Sequence, residues 1–184
     1  LQTLVLAQDR VLEPTFSSIE EWLGRHTDQY YRVLAVTGRG AWHPENDATL
    51  WIKFNLRAHH RQAQTQRRRF EEASVTWREL DELIARHGLQ ERTGDALFDA
   101  VRGLRVVRPT YVKQSGVEEQ TASRDLRALV QAGLLEARGQ TRGRYYVAAG
   151  PLVDLTNELR AQRGKLADPY PWLEPELLRL TAIR

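Results

Sequence analysis

No cysteine occurs among the 184 residues, which excludes disulfides, a thiol nucleophile and thiolate metal sites. A reducing compartment fits that usage, and a cytoplasmic location is expected. Methionine is absent even at position 1, as in a chain that does not begin at a natural start, such as an excised or proteolysed fragment. Lysine is scarce, three residues against 24 arginines, a usage expected of a high-GC bacterial source. No apolar run approaches the roughly 18–20 residues that a membrane helix needs, so the membrane is excluded as a partner. The stretch 1–12 carries Asp9 and Arg10 and lacks a small-residue cleavage site, so it does not read as a secretory signal. What is present is 41% hydrophobic residues, enough for one domain or two small ones.

The richest segment is 121–147, TASRDLRALVQAGLLEARGQTRGRYYV. Leu126, Leu129 and Val130 fall at i, i+3 and i+4, and Ala122 extends this apolar stripe back one turn. Ser123, Arg124, Arg127 and Gln131 occupy the other face. Thr121, or the pair Glu118-Glu119, is predicted to cap the first turn, with Asp125 complementing the helix dipole and Gly133 stopping the helix. Residues 134–138 read as a strand, 139–143 as a turn and 144–147 as the return strand. Upstream, Thr110–Ser115 reads as a short helix preceded by Pro109. Ala96, Leu97, Ala100, Val101 and Leu104 supply a third helix.

This order of parts is that of a winged helix-turn-helix, which sets one helix in the major groove of DNA and a basic wing on its backbone. Charge agrees. Residues 92–147 hold ten Lys/Arg and six Asp/Glu, whereas the rest of the chain holds 17 basic and 18 acidic residues. The positive excess is concentrated where a phosphate-binding surface is predicted. Double-stranded DNA is therefore the expected partner. Ser123, Arg124 and Arg127 are expected at base edges or nearby phosphates, with Gln120 and Thr121 at the helix start. Arg138, Arg142 and Arg144 would hold backbone or minor groove from the wing, and Thr110, Lys113 and Gln114 would touch phosphate.

Residues 1–90 read as a helical block. Ser17 or Ser18 is predicted to cap a helix carrying Ile19, Trp22, Leu23, His26, Tyr30, Val33 and Leu34 on one face, ended by 37–40. A long helix begins near Asp47 and reaches toward His87, with an apolar stripe of Leu50, Ile52, Phe54, Leu56, Phe70, Trp77, Leu80 and Ile84. Its length predicts a kink or break around Ala73-Ser74-Val75. Gly88 and Gly94 bracket the predicted linker. The fold class is thus mainly α: a helical bundle fragment over 1–90, the winged helix-turn-helix (three helices plus a small β-hairpin wing) over 91–149, and a helical tail over 150–184.

The run SIEEWLGRHTDQYYRVL, then Trp42, then ATLWIKFNLRAHHRQA resembles the part of bacterial Fic proteins just downstream of their catalytic motif, and many of those proteins continue into a winged helix. The resemblance spans roughly residues 1–148. It implies a parent enzyme that transfers AMP from ATP, with magnesium, to a protein hydroxyl. The family's HPFxDGNGRxxR loop is not in this chain: His43-Pro44-Glu45-Asn46-Asp47 shares only its opening and lacks the glycine-asparagine phosphate cradle. In the family layout that loop would fall just before Leu1. Ser17 and Glu21 have the spacing of the family's inhibitory Ser/Thr-x-x-x-Glu helix, but Trp22 follows where Gly or Asn is usual.

No catalytic residue, metal ligand or cofactor is assigned to the chain itself. His59 and His60 are adjacent on a helix and point about 100° apart, which disfavours chelation of one ion. The arginines 67–69 read as a solvated face or a secondary nucleic-acid contact. Trp22, Trp42, Trp51 and Trp77 read as helix-packing residues, and the tail as a cap on the winged helix or a homodimer contact. Two alternatives stand beside DNA binding: a winged helix used for protein interaction or dimerisation, and one component of a split enzyme.

Overall fold

A computed structural model describes Gln8 and residues 18–41, 43–140 and 143–182. Among these the chain is mainly helical, with one two-stranded antiparallel sheet. In chain order the elements are α1 (Glu20–Arg25), α2 (Thr27–Gly38), α3 (Thr49–Arg86), a 3-10 turn (Glu91–Thr93), α4 (Gly94–Val101), α5 (Arg108–Ser115) and α6 (Glu119–Gln131). β1 (Leu135–Arg138), β2 (Tyr145–Ala148), α7 (Pro151–Ala161) and α8 (Leu173–Ala182) follow. No helix among the described residues is long and apolar enough to cross a membrane.

Contacts divide the chain into two compact units, residues 1–69 with 165–184, and residues 70–164. The sequence places its boundaries elsewhere, near 90 and 149, and the packing explains the difference. Leu80, Leu83 and Ile84 from the end of α3, and Leu152 and Leu155 from α7, are buried in the same core as α4, α5 and α6. Gly94 is a packing residue of this unit rather than a linker: a Cβ there would lie 2.9 Å from the Trp77 ring. That ring stacks on Phe98 at 4.9 Å between centroids.

The other unit is built around Ile19, Trp22, Val33, Phe54, Ala58, Leu173 and Leu177. The helix expected to run from Ser17 or Ser18 to 37–40 ends at Gly38 but is interrupted at His26, whose backbone leaves the helical region. The imidazole Nδ1 donates to the Trp22 carbonyl at 2.7 Å, taking the acceptor that the His26 amide would use in a continuous helix. The ring itself stacks on Trp22 at 3.9 Å. Ile19, not a serine, occupies the N-cap of α1. Further along, Arg57, Arg61 and Gln64 lie at i, i+4 and i+7 of α3. Arg57 binds Asp168 in a fork (3.0 and 2.7 Å to Oδ2), Arg61 donates to the Leu166 carbonyl, and Gln64 exchanges two hydrogen bonds with the Ala167 backbone.

α3 is one unbroken helix through 73–75, not the broken element its length suggests. Ser74 and Thr76 donate to the Phe70 and Glu72 carbonyls at 3.0 and 2.8 Å, so their hydroxyls are satisfied inside the helix instead of ending it. Phe54, Leu80 and Ile84 of its predicted stripe are buried, while Ile52, Leu56 and Phe70 are exposed. Ile52 and Phe54 are two residues apart and therefore project to different faces of a helix.

Candidate nucleic-acid interface

Five of the predicted interface residues lie on one amphipathic helix, α6. α6 buries Ala122, Asp125, Leu126 and Leu129 and leaves Arg124 and Arg127 exposed, with Ser123 half-buried. It begins two residues before Thr121. Glu118 is the N-cap, and no side chain caps the helix, so Thr121 lies within the first turn rather than at its cap. Gly133 ends it with φ +70. Its amide bonds the Val130 carbonyl and the Leu134 amide bonds that of Leu129, the paired bonds of a Schellman stop that glycine accommodates without strain.

Asp125, expected to complement the helix dipole, is also a buried hydrogen-bond acceptor. It is 5% exposed. Its carboxylate accepts from Arg92 Nε at 2.8 Å, Arg92 Nη2 at 3.1 Å and the Tyr111 hydroxyl at 3.0 Å. The 3-10 turn, α5 and α6 are thereby tied at one buried point. Burial pushes the Asp125 carboxyl up, but the hydrogen bonds from Arg92 and Tyr111 and the Arg92 charge outweigh it and hold the group below the ordinary Asp value. Burial, then the bond to Asp125, pushes the Tyr111 phenol up to about 12.

α5 starts at Arg108, with Pro109 in its first turn, where proline's missing amide costs nothing. Thr110, Lys113 and Gln114 are exposed, and Gln114 donates to Asp99 at 3.2 Å. Arg108, which sequence reasoning did not select, reaches from α5 to α6. Its Nη1 donates to Ser123 Oγ at 3.4 Å and its Nη2 lies 3.7 Å from Glu119. The clue was its place just ahead of Pro109, inside the helix rather than in the loop before it.

In the hairpin, Leu135 pairs with Ala148, Glu136 with Val147, Ala137 with Tyr146 and Arg138 with Tyr145. Val106 adds a further antiparallel bridge to Tyr146, with bonds of 3.0 and 2.8 Å. Side chains alternate across the strands, and this separates two residues that the sequence grouped. Ala137, Tyr146 and Arg144 line an open groove of about 660 Å³ together with Arg108, Ser123 and Arg127. Arg138 instead lines a separate recess with Val147 and α7, and its guanidinium is bonded to Glu136 at 3.1 Å.

Of the predicted residues, the groove therefore unites Ser123, Arg127 and Arg144, and adds Arg108. Arg124 and Gln120 are exposed on α6 and Thr121 is half-buried, all outside the groove lining. Arg142 lies outside the described residues. Elsewhere, His43 Nδ1 pairs with Glu45 at 2.9 Å on an exposed turn. Glu21 is bound by Arg69 (2.8 Å), Arg25 (2.9 Å) and Gln62 (3.2 Å). The Arg69 bond, then the Gln62 bond, outweigh some burial and bring its carboxyl down to about 2. Trp42 and Ser17 lie outside the described residues. Among the described residues no group of three or more His, Cys, Asp or Glu side chains is placed to hold a metal. Burial lowers the His59 imidazole below its usual range. Compared with known proteins, the chain matches no family model, and no curated protein is similar to it in sequence.

Proposed function

We propose that residues 94–148 form a winged helix-turn-helix that binds duplex DNA through the groove-facing and exposed side of α6. The observation that carries this reading is the convergence of Arg108, Arg127 and Arg144, from three separate elements, on one groove beside an exposed helix face. Guanidinium groups suit phosphate and the guanine edge because each presents a planar fork of donors. The element order α4, Val106 bridge, α5, α6, hairpin supports it as well, since this is how a winged helix orders its parts. Arg124 and Arg127 then face bases or phosphates, Arg108 and Arg144 the backbone, and Thr110 and Lys113 flank them. Anisotropy of a labelled mixed-sequence duplex tests it: binding is expected at about 50 mM salt and weakens steeply toward 200 mM. No binding at the lower salt sinks the reading.

A second reading, a winged helix used for protein contact, is favoured by one feature. Glu118 and Glu119 are exposed at the start of α6, where they repel phosphate and suit a basic partner surface. The helical part of the chain is read, on its resemblance alone, as the Fic-like region of a larger protein. No AMP transfer is assigned to this chain's residues, and labelled ATP with the chain alone should yield no modified protein.

A further inference from the structure

Behind the hairpin, on the side away from the arginine groove, α4, α7 and the two strands line an open recess of about 260 Å³. We propose that this recess binds a small organic carboxylate with a short apolar body. The volume admits a ligand of several heavy atoms and lies just below the range usual for larger ligands.

The lining is segregated by chemistry. Val153, Thr156, Asn157 and Arg160 fall at i, i+3, i+4 and i+7 of α7, so a single face of that helix is turned to the recess. The acidic residues of α7, Asp154 and Glu158, are not part of this lining. Leu104 and Val153 supply an apolar wall and are unusually open for their type, at 49% and 41% exposed. Arg138 enters from β1 and Arg160 from α7. Among the described residues the Arg160 guanidinium has no hydrogen-bond or ion-pair partner, while its carbonyl accepts from the Arg163 amide. Among the described residues the Arg138 guanidinium pairs with Glu136, two residues away on its own strand. Two guanidiniums beside an apolar wall complement an anion that carries a hydrocarbon tail.

Thr156 already donates its hydroxyl proton to the carbonyls of Val101 and Leu152, at 3.1 and 2.8 Å. It therefore shapes the floor, and the ligand's oxygens are left to Arg138, Arg160 and the Asn157 amide. The recess shares no residue with the arginine groove, so occupation of one stands independently of the other.

The test is titration of the full chain with hexanoate, followed by amide chemical shifts, with acetate and 1-hexanol as controls. Hexanoate should bind near 1 mM or tighter and move the signals of Gly103, Leu104, Val153 and Asn157. Acetate, without the tail, and hexanol, without the charge, should each bind at least tenfold more weakly. Arg160→Gln and Arg138→Gln, both solvent-side changes, should each weaken hexanoate by about tenfold. Equal binding of hexanol and hexanoate would show a bare apolar patch and overturn the proposal. So would an unchanged Arg160→Gln, shifts confined to other residues, or shifts that follow protein concentration and so report self-association.

Discussion

Arg92 and Asp125, 33 positions apart, form a part-buried ion pair that fixes α6 against the turn preceding α4, with Nε 2.8 Å from Oδ2. Tyr111 shares the same carboxylate. Removing the carboxylate leaves a buried phenol and a guanidinium without their acceptor, which costs more than the pair itself contributes. Asp125→Ala is expected to destabilise the chain by about 2–3 kcal/mol, and Asp125→Asn, which keeps an acceptor for Tyr111, by roughly half that. Urea unfolding followed by circular dichroism measures both. A loss below about 0.5 kcal/mol for the alanine variant would contradict the buried pairing, being the range of ordinary surface substitutions.

The same cluster sets a pH signature at each end. The folded Asp125 carboxyl lies below its unfolded value, so it binds fewer protons folded than unfolded. Its stabilisation is present above the unfolded value of about 3.9 and is lost as pH falls through the folded one. Tyr111 runs the other way: it stays protonated to about 12 when folded and to 10.0 when unfolded. Stability is therefore expected to fall as pH rises through that interval. Thermal unfolding at stepped pH should show both limbs in the wild type, and Tyr111→Phe should lose the alkaline limb.

Glu21 provides a separate acid marker. With its carboxyl at about 2 rather than the ordinary 4.5, its contribution is complete above 4.5 and disappears toward pH 2. A carboxyl-carbon titration by NMR should place its midpoint well below those of the other glutamates, and Arg69→Ala should raise it. A midpoint near the ordinary value would break the assignment of Arg69 as its main partner.

Much of this arrangement was legible in sequence, and what was not follows from range. Ala122, Leu126 and Leu129 are a local stripe, and periodicity alone put them on the buried face of α6. Gly133 likewise marked its own helix stop. The partners of Asp125 are not legible in sequence because they lie 33 and 14 residues away, and a carboxylate early in a helix already has a local explanation. Arg138 and Arg144 were grouped because both lie near the turn, yet strand alternation and register, set by side-chain packing, send them to different surfaces. The boundaries near 90 and 149 followed glycines and composition, whereas the units follow which leucines are buried together. Leu80 and Leu152 carry no local sign that they share a core.

The base of the hairpin depends on two glycines meeting. Gly150 has φ +49, and a Cβ on it would lie 2.7 Å from the Gly133 carbonyl oxygen. Backbone has little room to yield there, because the Ala149 amide bonds the Leu134 carbonyl at 2.9 Å. Gly150→Ala should cost about 1–3 kcal/mol from the strained φ and the clash together. Gly164→Ala, with open space at its Cβ and no positive φ, should cost less than about 0.5 kcal/mol. Chemical denaturation of the two variants compares them directly, and equal midpoints would remove the argument.

If the chain binds DNA as proposed, the separation of Arg138 from the groove can be read in the salt dependence of that binding. Each phosphate contact contributes about 0.9 to the slope of log affinity against log salt, through release of condensed counterions. Arg144→Ala and Arg108→Ala, which remove groove arginines, should each lower that slope by about one. Arg127→Ala should weaken binding and flatten differences between sequences, since the proposed reading turns its face of α6 to base edges. Arg138→Ala leaves the groove intact and should change the slope by less than about 0.3. If Arg138→Ala lowers the slope as much as Arg144→Ala, both arginines meet phosphate and the two sides of the hairpin do not divide the work.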